Sequence, residues 1–84
     1  MKILKWELND SQELFLPKGA KILDVQIQKD TCCLWALCDE NATREKRVFA
    51  IYGTGNPIPD DPGTYISTFQ MYNGNLVFHV FEIH

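Results

Sequence analysis

The sequence predicts an all-β fold, and three observations support this prediction. Val, Ile, Thr and the aromatic residues make up 26 of the 84 residues, whereas Ala makes up four, a composition typical of strands. Apolar residues recur at every second position, which is the period of a half-buried strand. The pair Asn73-Gly74 lies between two such segments and strongly indicates a β-hairpin. We therefore expect one small antiparallel domain over residues 1–84, either a β-sandwich or a closed barrel.

About seven strands are expected, and the first two are predicted to form a hairpin. Residues 2–8 and 12–16 both alternate, and the intervening Asn9-Asp10-Ser11 favours a turn. The third strand is expected to direct alternate apolar side chains to the core, namely Leu23, Val25 and Ile27. Residues 32–38 are almost continuously apolar, which predicts a central strand covered on both faces. Residues 44–52 return as the fifth strand.

The C-terminal hairpin has a register that follows from its turn. If Asn73 and Gly74 are the two loop residues, both adopt positive φ and the opposed positions are fixed. One face then pairs Met71 with Leu76, Phe69 with Phe78 and Ser67 with Val80. The other face pairs Gln70 with Val77, Thr68 with His79 and Ile66 with Phe81. We expect the first face to pack on the core and the second to combine polar groups with aromatic rings.

Charge and hydropathy exclude several classes of partner. Eight basic and eleven acidic side chains give a formal net charge of −3, so we expect no binding to bulk nucleic acid. No apolar segment approaches the ~18 residues of a membrane span, and residues 1–6 lack the apolar core of a signal peptide. We expect a cytoplasmic protein that does not bind membranes.

The three cysteines, Cys32, Cys33 and Cys38, are expected to be buried thiols. Along a strand, Cys32 and Cys38 are about 20 Å apart, which is too far for a disulfide. The Cys-x-x-Cys spacing of a typical zinc site is absent. We therefore expect small apolar side chains in a reducing compartment, with no metal and no cofactor.

The longest irregular segment, residues 53–63, contains three glycines and three prolines. At its start, the backbone N–H groups of Gly53, Thr54, Gly55 and Asn56 are candidates for holding a phosphate. No lysine or following helix completes a P-loop. The alternative is that the glycines and prolines only shape a long reversal.

Two further groups of residues are candidates for ligand contacts. Trp35 and Tyr52 have rings that can stack on a base, and Arg47 can hold a phosphate. If the connection between the fourth and fifth strands closes symmetrically around Asn41, Trp35 faces Arg47 in a cation–π contact. The alternatives are that Trp35 belongs to the core and that Arg47 is a solvated charge.

The last hairpin carries a polar trio, Thr68, Gln70 and His79, on one predicted face. Amide, hydroxyl and imidazole groups offer both donors and acceptors to a base edge or a ribose; the alternative for His79 is a purely structural role. We see no nucleophile beside a base and no carboxylate pair, which argues against an enzyme. Residues 76–81 are apolar on both faces, so we expect a homo-oligomer.

Five segments together resemble a family of small tailed-phage and prophage proteins, over nearly the whole chain. They are Leu16–Gln26, Cys33–Leu37, Gly53–Pro59, Tyr65–Gln70 and Leu76–Glu82. Small phage proteins of this size include signal sponges such as the Sequestin and Lockin families, which bind and hide nucleotide messengers of bacterial immunity. The resemblance therefore implies an anti-defence protein in the host bacterial cytoplasm.

Three functions follow as hypotheses. The first is sequestration without turnover of a small nucleotide: a cyclic ADP-ribose type, histidine-ADP-ribose or a cyclic dinucleotide. The second is a protein-binding module that inhibits a host defence enzyme. The third is a small nucleotide phosphodiesterase that uses His79. All three stand on one expectation, that the glycine–proline segment and the polar face of the last hairpin line a shared hollow.

Overall fold

The computed structural model describes residues 1–8 and 12–84, which form seven β-strands. The strands are β1 (Lys2–Glu7), β2 (Glu13–Pro17), β3 (Lys21–Gln28), β4 (Thr31–Cys38), β5 (Arg44–Gly53), β6 (Thr64–Met71) and β7 (Leu76–Ile83). They form a three-stranded sheet of order β1-β4-β3 and a four-stranded sheet of order β2-β5-β7-β6. All paired strands are antiparallel. The predicted all-β class is confirmed, and two separate sheets make the fold a sandwich rather than a closed barrel.

The core lies between the sheets and follows the alternation of the strands. From the first sheet, Val25 and Leu34 are fully buried, and from the second, Leu16, Phe49 and Val80 are buried to the same degree. Burial of one such side chain stabilises the fold by about 1.5–3 kcal/mol. Three residues of the first segment share the inner face as predicted, namely Leu4, Trp6 and Leu8.

The predicted first hairpin is wrong, because β1 and β2 belong to different sheets. Strand β1 pairs with β4, and β2 pairs with β5. The predicted turn at 9–11 lies outside the described residues. On either side of it, Leu8 N donates to Cys32 O (2.8 Å) and Phe49 N donates to Gln12 O (2.9 Å). A short polar connection serves a crossing between sheets as well as a hairpin, so its composition does not decide the pairing.

In β3 the predicted inward face is correct for Val25 and Ile27 but wrong for Leu23. A register shift between Ile22 and Asp24 in the pairing with β4 marks a β-bulge. Ile22 packs against the core instead, and Leu23 is 43% exposed. A bulge inserts one extra residue and so reverses the alternation on one side of it.

The C-terminal hairpin has the predicted register for the five pairs nearest the turn. Asn73 and Gly74 have φ values of 56° and 86°, and Asn75 N donates to Tyr72 O (3.1 Å). The sixth predicted pair is wrong: a bulge between Tyr65 and Ser67 places Tyr65, not Ile66, opposite Phe81. This shift brings a phenol ring onto the outer face of the second sheet.

The edges of β3 and β6 are linked by polar side chains across the two sheets. Ser67 is buried, and its hydroxyl contacts Asp24 Oδ1 (2.6 Å) and Val25 O (2.9 Å). Gln26 Nε2 donates to Ser67 Oγ (3.2 Å) and to Thr68 O (3.3 Å). These bonds fix the position of β6 relative to the first sheet.

All three cysteines are free thiols. Cys33 and Cys38 are buried, as predicted, and Cys32 is half-buried. Burial raises the pKa of Cys32 to about 11, and the neighbouring Cys33 adds to the shift. Throughout residues 1–8 and 12–84, no helix has the length and apolar character needed to cross a membrane.

Candidate ligand-binding site

The connection between β5 and β6 forms a hollow on the outer face of the second sheet. Both strands pair with β7, on its two sides, and both run antiparallel to it. The chain leaves β5 opposite Phe78 and enters β6 opposite Glu82, so the connection runs back along β7. The outer hollow has a volume of about 240 Å³. It is lined by Tyr52, Gly53, Thr54, Gly55, Asn56, Ile58, Tyr65, His79 and Phe81.

Three aromatic rings form one wall of the outer hollow. Phe81 is in the centre and meets Tyr52 edge to face, with ring centroids 6.0 Å apart and an interplanar angle of 62°. Tyr65 meets Phe81 from the other side at 5.6 Å and 70°. Edge-to-face contacts of this kind stabilise one another and leave ring faces available to a planar ligand.

A chain of hydrogen bonds passes through His79 beside this wall. Thr54 Oγ1 lies 2.7 Å from His79 Nε2, and Thr68 Oγ1 lies 3.0 Å from His79 Nδ1. Tyr65 Oη lies 2.8 Å from Thr68 Oγ1. Because both ring nitrogens have partners, the imidazole is held in one orientation. We call the series Thr54, His79, Thr68 and Tyr65 the hydroxyl relay.

The predicted phosphate cradle is wrong for two of its four N–H groups. Thr54 N donates to Val77 O (3.0 Å) and Asn56 N donates to Gly53 O (3.1 Å). These bonds fold the start of the connection into a turn and attach it to β7, so the two N–H groups point into the protein. Gly55 has a φ of 89° and open space around the position of a Cβ.

Trp35 and Arg47 are not part of the outer hollow, and the predicted contact between them is wrong. Trp35 lies in the first sheet, paired with Lys5 on β1 and Asp24 on β3. Arg47 lies on β5 in the second sheet. The polar connection between β4 and β5 therefore crosses from one sheet to the other, whereas the prediction assumed a hairpin.

Arg47 forms a largely buried ion pair with Glu82. Arg47 Nε lies 2.6 Å from Glu82 Oε2 and Nη2 lies 2.7 Å from Oε1, while Nη1 donates to Ala20 O. The hydrogen bonds to Glu82 raise the pKa of Arg47. Each guanidinium nitrogen thus has a partner within the protein, so Arg47 is neither the predicted phosphate contact nor a solvated charge. Among the described residues, the cation–π contact is that of Arg44 over Trp6, at 5.9 Å.

The polar trio of the last hairpin is only partly at the site. His79 lines the outer hollow, and Thr68 reaches it through His79. Gln70 pairs with Val77 nearer the turn and is exposed outside the lining. Ile58, Tyr65 and Phe81 also line the outer hollow, and none of the three was predicted as a site residue. No local pattern predicts the bulge that brings Tyr65 there.

Two other depressions have weaker arguments for function. A cavity of about 380 Å³ opens between the inner faces at one end of the sandwich, lined mainly by core side chains such as Ile27, Ile51 and Phe78. A recess of about 440 Å³ adjoins the outer hollow and shares Gly53, Thr54 and Asn56 with it. The outer hollow combines three aromatic rings in mutual contact with a hydrogen-bonded series of polar groups, which is the usual character of a binding site. Within the described part of the chain, no group of three or more His, Cys, Asp or Glu is arranged to hold a metal.

These features define a small β-sandwich protein with a candidate small-molecule site on the outer face of one sheet. The chain belongs to the DUF7352 family, described as a domain of unknown function, whose family model matches residues 1–84. No curated protein and no solved structure matches the chain.

Proposed function

We propose that this protein binds a small nucleotide in the outer hollow and holds it without turnover. The observation that carries the proposal is the meeting of the β5–β6 connection with the polar and aromatic face of the C-terminal hairpin. Six of the ten residues selected from the sequence line this hollow: Tyr52, Gly53, Thr54, Gly55, Asn56 and His79. Because the chain also resembles phage proteins, we propose further that it sequesters a nucleotide immune signal in the cytoplasm of the host.

The aromatic wall favours the nucleobase as the part of the ligand that enters. Stacking of a base on an aromatic side chain contributes about 1–3 kcal/mol. Tyr65 is 57% exposed, so its ring is accessible to an incoming base. Hydroxyl and amide groups of Thr54 and Asn56 stand beside the wall and can pair with a base edge or a ribose.

The size and charge of the outer hollow favour a ligand whose phosphates stay outside it. At about 240 Å³ it is below the roughly 300–1,000 Å³ that encloses a drug-sized ligand. Its lining contains no Lys or Arg, and Arg47 is engaged with Glu82. A nucleoside moiety fits this description, and the phosphates of an ADP-ribose or a cyclic dinucleotide would then face solvent or a second copy.

Self-association is part of the proposal because apolar side chains remain exposed around the outer hollow. Ile58 in the lining is 47% exposed, and Ile83, two positions after Phe81 on β7, is also exposed. Association of two copies through this face would cover these residues and close the hollow. Sedimentation velocity tests it: a monomer at high micromolar concentration contradicts the homo-oligomer and leaves a site within one chain.

The proposal of binding without turnover is supported by the bonds of Thr54. Its hydroxyl is the candidate nucleophile nearest His79, but it also donates to Val77 O (3.2 Å). A nucleophile needs its proton shared with a general base; the Thr54 proton goes to a carbonyl, and Thr68, the other hydroxyl at the His79 ring, does not line the outer hollow. The alternative, a phosphodiesterase, requires product formation, which mass spectrometry of each nucleotide after long incubation would detect.

The direct test is a thermal-shift and calorimetric panel of cyclic ADP-ribose isomers, histidine-ADP-ribose, cyclic dinucleotides and AMP. Ligand at a hundred times Kd stabilises the fold by about 2.7 kcal/mol. We expect Tyr65→Leu to weaken binding by about tenfold or more, because it removes a stacking ring. Phe15→Leu, an exposed aromatic on the same sheet but far along it, is the matched control. No shift with any ligand contradicts the proposal.

The second candidate function, a protein-binding module, is favoured by the edge strand β1. This strand pairs only on one side, with β4, and Ile3 on it is exposed. An open edge can accept a strand from a partner. Capture of a host defence enzyme that is lost in Ile3→Lys and retained in Tyr65→Leu would favour this function over nucleotide binding.

A further inference from the structure

The direction of each hydrogen bond in the hydroxyl relay follows from counting protons. The Thr54 hydroxyl has one proton, and we assign it to Val77 O (3.2 Å), because a carbonyl oxygen can only accept whereas His79 Nε2 can donate. At its contact with His79 Nε2 (2.7 Å), Thr54 is therefore the acceptor, and the ring carries its proton on Nε2. In the neutral imidazole Nδ1 is then an acceptor.

The same count continues on the other side of the ring. Because Nδ1 accepts, the Thr68 hydroxyl donates to it (3.0 Å). Having used its proton, Thr68 accepts from the phenol of Tyr65 (2.8 Å). Each proton of the relay is thus directed along the series from Tyr65 towards Val77 O, and the Tyr65 oxygen keeps a lone pair for another partner.

We propose that Tyr65 determines specificity in the outer hollow by accepting a hydrogen bond from the ligand, and that His79 sets this polarity. This inference rests on the proposed function. The ligand moiety it selects is a nucleobase that presents an N–H donor, such as the 6-amino group of an adenine-type base.

Protonation of His79 reverses the relay. Both ring nitrogens of the imidazolium are donors, so Nδ1 donates to Thr68, whose proton turns to the Tyr65 oxygen. The Tyr65 proton is then free of the relay, and the phenol becomes a donor to the ligand. A base with a carbonyl in place of the amino group, as in hypoxanthine, is then the better partner.

His79 is the imidazole in the lining of the outer hollow. It faces Tyr52 on β5, Thr68 on β6 and Thr54 on the β5–β6 connection. The other titratable groups in the lining are the phenols of Tyr52 and Tyr65, and the lining contains no Asp, Glu, Lys or Arg.

The relay is tested on the protein alone by long-range ¹H–¹⁵N NMR of the histidine rings at pH 8. We expect His79 to carry its proton on Nε2 only. His84, whose Nε2 contacts Thr64 Oγ1 (2.6 Å) with no bond to Nδ1 among the described residues, is the internal reference. We expect Thr54→Val, which removes the acceptor of the Nε2 proton, to give His79 a mixture of tautomers. A proton on Nδ1 in the wild-type protein overturns the relay.

The specificity is tested with three 5′-monophosphates: AMP, purine riboside monophosphate, which lacks the 6-amino group, and inosine monophosphate. At pH 8 we expect AMP to bind about fivefold more tightly than purine riboside monophosphate, the effect of one net hydrogen bond. Once NMR shows His79 protonated, we expect the preference to pass to inosine monophosphate.

The variant Tyr65→Phe separates recognition from stacking, since it keeps the ring and removes the hydroxyl. It should bind AMP and purine riboside monophosphate equally. Binding of all three nucleotides with no preference in the wild-type protein overturns the inference while the proposed function stands. If none binds, the proposed function and the specificity fail together, and the NMR result alone decides the relay.

Discussion

Replacing Arg47 by Met should cost the fold about 3 kcal/mol. The change leaves the carboxylate of Glu82 without its two bonds from the guanidinium and Ala20 O without its donor. Removing one partner of a buried ion pair costs about 3–5 kcal/mol. The side chains of Arg47 and Glu82 are still 18% and 11% exposed, so we expect the lower end of that range. Out of a total stability of about 5–15 kcal/mol, this is a large part.

Urea unfolding followed by the fluorescence of Trp6 and Trp35 measures the effect. With an m value of about 1 kcal/mol/M for a small domain, the midpoint should fall by about 3 M. The double variant Arg47→Met with Glu82→Leu should recover part of the loss, because it no longer leaves a buried unpaired carboxylate. A loss below about 1 kcal/mol, as for exposed pairs, or no recovery in the double variant, would refute the reasoning.

Three further predictions concern single positions. Gly63 has a φ of 96°, and an added Cβ would lie 2.1 Å from Glu82 O, so Gly63→Ala should destabilise the fold by more than about 2 kcal/mol. Gly19 has a φ of 80° with open space around it, so the control Gly19→Ala should lower the free energy of unfolding by only about 1 kcal/mol. Ser67→Ala should cost about 1 kcal/mol in urea unfolding, because it removes the hydroxyl contacts with Asp24 Oδ1 and Val25 O, while Asp24 Oδ1 keeps its bond from Val25 N. The pKa of Cys32 is about 11, against an ordinary value of 9.0, so at pH 8 iodoacetamide should modify Cys32 roughly a hundredfold more slowly than in the denatured chain. The free energy of unfolding should also fall as the pH rises from 9.0 to about 11, because only the unfolded thiol ionises in that range.

The positions of the strands could be predicted because alternation and turn residues are local properties. All seven expected strands are present, and the hairpin at Asn73-Gly74 has its expected register up to Ser67. The turn itself decides that register, so no distant residue is needed. The prediction is wrong at Ile66, where the bulge begins, because a bulge is selected by packing against neighbouring elements.

The pairing of strands distant in sequence could not be predicted, and this limited the site. The polar connections after β1 and after β4 are equally suitable for a hairpin and for a crossing between sheets, and both cross. Because the connection after β4 crosses, Trp35 and Arg47 lie in different sheets. The same crossing also placed Arg47 near Glu82, 35 positions along the chain, where no spacing rule in the sequence connects them.

The outer hollow follows from topology more than from composition. Because β5 and β6 run in the same direction on the two sides of β7, their connection must return along β7 before β6 can begin. Crossover connections usually need a dozen or more residues and an α-helix; here the segment between Gly53 and Thr64 has ten and contains three prolines. This segment is too short and too rich in proline to form a helix, and it crosses the outer face of the sheet as an irregular connection. The space between this connection and the sheet is the outer hollow, and Thr54 and Tyr65 lie near the two ends of the connection.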